Sequence, residues 1–88
     1  MEITKSARAG TLESNDIYIM ISPNPKDGVE LQLESTVMLQ YGDQIKETII
    51  ETLKELEVDN IEIVARDRGA LDYTIKARVE TAVKRGCR

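Results

Sequence analysis

Hydrophobic and polar positions change their period several times along the chain, and each change marks an element. In "DIYIMIS" (residues 16–22) the β-branched and apolar residues are dense and the run is short, which predicts a strand. Ile17, Ile19 and Ile21 share one face of it. Tyr18 and Met20 share the other, so that face is either covered or part of an interface. "PNPKDG" (23–28) holds both prolines and a glycine and reads as a loop. "VELQLES" (29–35) then alternates cleanly, with Val29, Leu31 and Leu33 against Glu30, Gln32 and Glu34. That is a half-buried antiparallel strand, and a short loop back to the first strand predicts a hairpin.

From Thr36 the period lengthens. Met38, Tyr41, Ile45, Ile49, Leu53 and Leu56 form one apolar stripe of a helix, with Lys46, Glu47, Lys54 and Glu55 on the solvent side. Ser35 or Thr36 is the candidate cap; if Gly42 breaks the helix, it starts at Asp43 instead. "IEIVARD" (61–67) predicts a third strand, and "DRGA" a turn centred on Gly69. "LDYTIKA" (71–77) alternates again and predicts a fourth strand, with Leu71, Tyr73, Ile75 and Ala77 inward. "RVETAVKR" loses the alternation and predicts a short helix, with Arg78, Lys84 and Arg85 on its polar side. The expected fold class is α+β, in the order β-β-α-β-β-α. Two hairpins form a small antiparallel sheet, helices pack on one of its faces, and the strand order is not legible.

Composition narrows what such a fold can do. With 88 residues, the expectation is one domain, 1–88, led by a flexible segment, 1–15. Hydrophobic residues make up 41% and charged residues 32%, as in a soluble globular protein. The chain holds three Tyr but no Phe or Trp, so the core is aliphatic. No stretch approaches the roughly 20 apolar residues of a membrane span, and the default compartment is the cytoplasm. Residues 1–60 carry 12 acids and 5 bases, whereas residues 61–88 carry 4 acids and 7 bases. An acidic chain poor in aromatics is unsuited to nucleic acid.

No histidine is present, so Ser-His and Cys-His pairs are excluded. Cys87 is the single cysteine, which leaves no internal disulfide and no Cys/His zinc site; it reads as a thiol at a frayed terminus. The five glycines are isolated, so there is no phosphate-binding loop. The carboxylate pairs Glu55 with Glu57 and Asp67 with Asp72 have nothing that directs them to one cleft. No catalytic or metal-ligating residue is therefore named. Functions whose chemistry is supplied by other proteins gain weight. "GTLESND" (10–16) suits a carrier: Gly10 loosens the approach, Ser14 is an exposed hydroxyl, and the strand that follows anchors it. Taken alone, Ser14 reads as an ordinary solvated loop serine, with a phosphorylation site beside Glu13 and Asp16 as the weaker alternative.

Two blocks decide between these readings. "AGTLESND" (9–16) and "DRGALDYTIKARVETAVKR" (67–85) resemble the acyl carrier protein, or gamma subunit, of citrate lyase. The resemblance runs over nearly the whole chain, and it implies a fold unlike the four-helix acyl carrier bundle. It implies that Ser14 carries 2'-(5''-phosphoribosyl)-3'-dephospho-CoA through a phosphodiester. The thiol of that arm holds acetyl and citryl thioesters while citrate is cleaved to acetate and oxaloacetate. The implied partners are the alpha (transferase) and beta (lyase) subunits and a prosthetic-group transferase, toward which Glu13 and Asp16 are the expected recognition charges. Two departures stand out: Asn15 lies where a second serine is frequent, and the chain ends at Arg88, shorter than the family pattern implies. The alternatives are the carrier subunit of malonate decarboxylase, which resembles it, and an interaction module docking through Tyr18 and Met20 or the basic end.

Overall fold

The computed structural model describes residues 1–87; Arg88, the last residue of the expected domain, lies outside them. The elements are β1 (Ala7–Gly10), β2 (Ile17–Ser22), β3 (Val29–Ser35), α1 (Met38–Glu55), β4 (Ile61–Asp67) and α2 (Asp72–Gly86). The strands form one four-stranded mixed sheet in the order β1-β2-β4-β3. The α+β class and the packing of both helices on one face hold. No helix among the described residues is long and apolar enough to cross a membrane.

The central strands follow from their alternation. Ile17, Ile19 and Ile21 of β2 and Ile61, Ile63 and Ala65 of β4 point to the helices and are buried. α2 covers β1 and β2, α1 covers β3, and the two helices touch. Ile45, Ile49 and Leu53 from α1 and Ile75, Val79 and Val83 from α2 complete one aliphatic core. The opposite sheet face is open, and Tyr18, Met20 and Val64 are half-buried on it.

Three expectations of sheet topology are corrected. β3 is not the hairpin partner of β2; β4 inserts between them, pairing antiparallel with β2 and parallel with β3. The helix between β3 and β4 makes them a βαβ unit, and such a crossover returns the chain parallel. β4 lies in the middle because its inward residues are all apolar up to Asp67, whereas β3, with Glu30, Gln32 and Glu34, sits at an edge where charge discourages further pairing. A strand that the pattern did not show, β1, forms the true hairpin with β2, Ala9 opposite Ile19. The N-terminal segment is thus built into the sheet, and Ile3 is buried in a bridge to Cys87.

The predicted fourth strand over 71–77 is the first half of α2. The alternation there coincides with a helical stripe: Ile75, Val79, Ala82 and Val83 are buried, and Tyr73 and Ala77 face out. Short alternating runs are ambiguous between the two periods, and here the longer stripe prevails. Asp72 in the first turn and Lys84 and Arg85 in the last suit the helix dipole. α1 runs through Gly42 from Met38, and the Ser35 hydroxyl accepts from the amide of Val37 at 3.0 Å just before it.

These placements predict a contrast between neighbours. Ile75→Ala should cost about 2–5 kcal/mol in urea unfolding, and Tyr73→Ala within about 0.5 kcal/mol. A strand over 71–77 would set both side chains on one face and make both costly.

Candidate functional site

The Ser14 segment is the loop of the β1–β2 hairpin. β1 ends at Gly10, whose φ of +89° is a value that side chains disfavour. A Cβ there would run into the carbonyl oxygen of Ile17 and approach Arg78 Cδ at 3.3 Å. Gly10 therefore serves close packing, which corrects its expected role as a loosening residue. A four-residue turn follows, closed by the Asp16 amide donating to the Glu13 carbonyl at 3.2 Å. Its third residue, Asn15, has φ +65°, a conformation that asparagine tolerates better than serine.

Asp16 ties this loop to the rest of the molecule. Its buried carboxylate accepts Arg78 Nε at 3.0 Å and Arg78 Nη2 at 2.9 Å, a bidentate pair across 62 residues of chain. It also accepts the Thr11 hydroxyl at 2.7 Å and the Ile17 amide at 2.7 Å. Burial pushes the Asp16 carboxyl up, but the hydrogen bonds from Arg78, Thr11 and the Ile17 amide, with the Arg78 charge, outweigh it and bring it down to about 2. The bond to Asp16 in turn holds Arg78 above its ordinary value. Asp16 is thus unavailable to a docking enzyme, which corrects its expected role in recognition. Arg78 stays partly exposed, as expected, but its guanidinium is committed to Asp16. Glu13 is exposed.

A second buried carboxylate organises the neighbouring loop. Asp67 accepts the Ser35 hydroxyl at 2.8 Å and the amides of Gly69 and Ala70, both at 3.0 Å. Asp67 and Asp72 therefore do not form a pair: Asp67 is buried in its own turn and Asp72 starts α2. The two loops are stitched together, with the Asn15 amide donating to the Arg68 carbonyl at 2.8 Å and the Arg68 amide to the Asp16 carbonyl at 2.9 Å.

Ser14 stands at the tip of this assembly, exposed, and its hydroxyl makes no hydrogen bond to a described residue. The other hydroxyl of the loop, on Thr11, is occupied: it donates to Asp16 and accepts the Glu13 amide at 3.2 Å. An open groove of about 670 Å³ lies alongside, lined by Asn15, Tyr41, Gln44, Leu71, Asp72 and Tyr73 among others. The two blocks of sequence that carry the resemblance, 9–16 and 67–85, meet at this one end of the fold.

Comparison with known proteins gives the same grouping. A family model described as "ACP: Malonate decarboxylase delta subunit (MdcD)" matches residues 4–86. The citrate lyase acyl carrier protein of Lactobacillus acidophilus is 55% identical over 85 residues, covering 97% of this chain and 87% of the relative. That of Treponema denticola is 51% identical over 85 residues, covering 97% and 95%. The chain belongs to the citrate lyase acyl carrier protein family. A chain of a Pseudomonas malonate decarboxylase hetero-tetramer, crystallised with malonate, superposes with a TM-score of 0.76 at 17% identity, over 94% of this chain and 84% of that one. At that identity the likeness shows the fold alone. This member of the family is thus a small α+β sandwich, and the turn that bears Ser14 lies in the β1–β2 hairpin at one edge of the sheet.

The Asp16 pair has a pH signature. Its stabilising effect is present above the ordinary carboxyl value of 3.8 and is lost as pH falls toward about 2. Asp16→Asn should remove about 2 kcal/mol of stability at neutral pH. The difference from wild type should shrink between pH 4 and 2 in urea titrations. A constant difference would assign the cost to something other than the charge. Gly10→Ala should destabilise by more than the roughly 1 kcal/mol of an ordinary glycine substitution, because Ile17 must move.

Proposed function

We propose that the chain is the cytoplasmic acyl carrier subunit of citrate lyase and that Ser14 is the attachment point of its prosthetic group, 2'-(5''-phosphoribosyl)-3'-dephospho-CoA. The observation that supports Ser14 most directly is the division of labour between the two hydroxyls of the loop. Thr11 is held in two hydrogen bonds at the base of the turn, and Ser14 is free at the tip. A primary hydroxyl with no side chain bonded to it suits a phosphodiester to a bulky group, and no base is needed nearby because the attaching transferase supplies one.

When bound, the group supplies a terminal thiol that holds the acetyl and citryl units. The residues of this chain hold its root. Asp16 and Arg78 fix the turn against α2, Gly10 lets β1 and β2 close beneath it, and Asn15 sets the turn that points Ser14 outward. A firm root confines the arm to the volume around one end of the carrier. That raises the concentration of its acyl end at the partner sites on the alpha and beta subunits. The carrier contributes reach and position; bond-making groups belong to the partners.

A second reading, the carrier of malonate decarboxylase, draws support from the family model and from the fold neighbour. Citrate lyase is preferred because the relatives near half identity over nearly the full chain carry that name. Reconstitution separates the two, since only the matching large subunits should restore turnover, of citrate or of malonate.

Protein co-produced with its biosynthetic partners should show by intact mass an adduct of the prosthetic group, and Ser14→Ala should abolish it. Thr11→Val should keep the adduct. An unmodified wild-type chain under the same conditions would favour the interaction module.

A further inference from the structure

Three side chains that the sequence pattern assigns to the core lie outside it, and they stand together. Tyr41 continues the apolar stripe of α1 beyond the sheet but is 55% exposed. Leu71 and Tyr73, at the start of α2, are 58% and 73% exposed. All three line the groove beside Asn15, which therefore begins one residue from Ser14. Two of the three tyrosines of the chain are concentrated there. A contiguous apolar patch of this kind marks a binding surface, and about 670 Å³ is the size of a small-molecule site.

The polar groups of the groove select the ligand. Gln44 Nε2 donates to Asp72 at 3.1 Å, which leaves the amide oxygen of Gln44 and the remaining lone pairs of Asp72 as acceptors at the rim. No cation lines the groove, and Asp72 repels phosphate. The occupant that fits is uncharged, flat and furnished with N–H donors. A purine base with an exocyclic amine meets all three conditions, because aromatic side chains offer it a stacking surface.

We propose that this groove seats the adenine of the group carried by Ser14, stacked on Tyr41 and Tyr73, with its amino group donating to Asp72 or Gln44. The proposal rests on the assignment of Ser14 as attachment point. In that group the phosphoribosyl and adenosine portions are on the serine side and the thiol is at the far end. Seating the base would therefore anchor the root of the arm and leave only the pantetheine portion to swing. The anionic diphosphate would stay outside the acidic groove.

Isotope-labelled carrier, with and without the arm, tests this by NMR, with loading checked by intact mass. Seating predicts shifts at Tyr41, Gln44, Leu71 and Tyr73, together with cross-relaxation between adenine H2 or H8 and the tyrosine rings. In a loaded Tyr41→Ala, Tyr73→Ala double variant the adenine signals should return to the positions of free nucleotide. The wild-type comparison stands whether or not that variant folds. A loaded wild-type chain with shifts confined to residues 11–16 and free adenine positions overturns this proposal and leaves the Ser14 assignment intact. Groove signals that move only when the large subunits are added assign the groove to a protein surface and also overturn it. A chain with no adduct overturns both assignments.

Discussion

The bidentate pair between Asp16 and Arg78 is the constraint on which the serine end of the molecule depends. A hairpin loop of six residues between two strands would ordinarily be held only at its ends. Here its last residue is locked to the middle of the C-terminal helix by two hydrogen bonds of 3.0 and 2.9 Å. The pair is buried on the carboxylate side only, so removing Arg78 would leave the Asp16 carboxylate with little solvent, whereas Arg78 itself keeps contact with water. Thr11, the Ile17 amide and the close approach at Gly10 are arranged around the same carboxylate. The backbone of the turn that carries Ser14 is therefore tied to the core at both sides, while the side chains of Leu12, Glu13, Ser14 and Asn15 face solvent.

Asp67 repeats the device one loop away. It satisfies Gly69, Ala70 and Ser35 from the end of the central strand, and so sets where α2 begins. Because the backbone of Asn15 and Asp16 is hydrogen-bonded to Arg68, the two carboxylate-centred loops form one platform. Two buried, hydrogen-bonded acids thus fix the backbone of this end of the fold in a chain with no histidine and a small aliphatic core.

Much of the scaffold was legible from periodicity because its burial is one-sided: β2, β3, β4 and most of α1 follow their apolar faces. β1 was not, since Ala7 and Ala9, which face the core, are too small for their alternation with Arg8 to stand out, and the strand rests on its backbone pairing with β2. The start of α2 was misread because Leu71, Tyr73 and Ile75 alternate while Ile75, Val79 and Val83 recur at helical spacing, and only packing decides between them. Strand order depends on where β4 inserts, which no local pattern records. At the site, Ser14 is singled out by family resemblance alone, and the structure shows its hydroxyl exposed. The partnership of Asp16 with Arg78 was not, because an ion pair between two ordinary charges 62 positions apart leaves no local mark. The same long-range pairing explains why Asp16 was mistaken for a surface recognition charge.

Ser14 as the single point of attachment is the centre of this account, and peptide-level fragmentation mass spectrometry of the loaded carrier tests it most directly. Digested peptides should place the phosphodiester adduct on Ser14, with Thr11 unmodified in the same peptide. An adduct on Thr11, or on a peptide outside the β1–β2 loop, would contradict it.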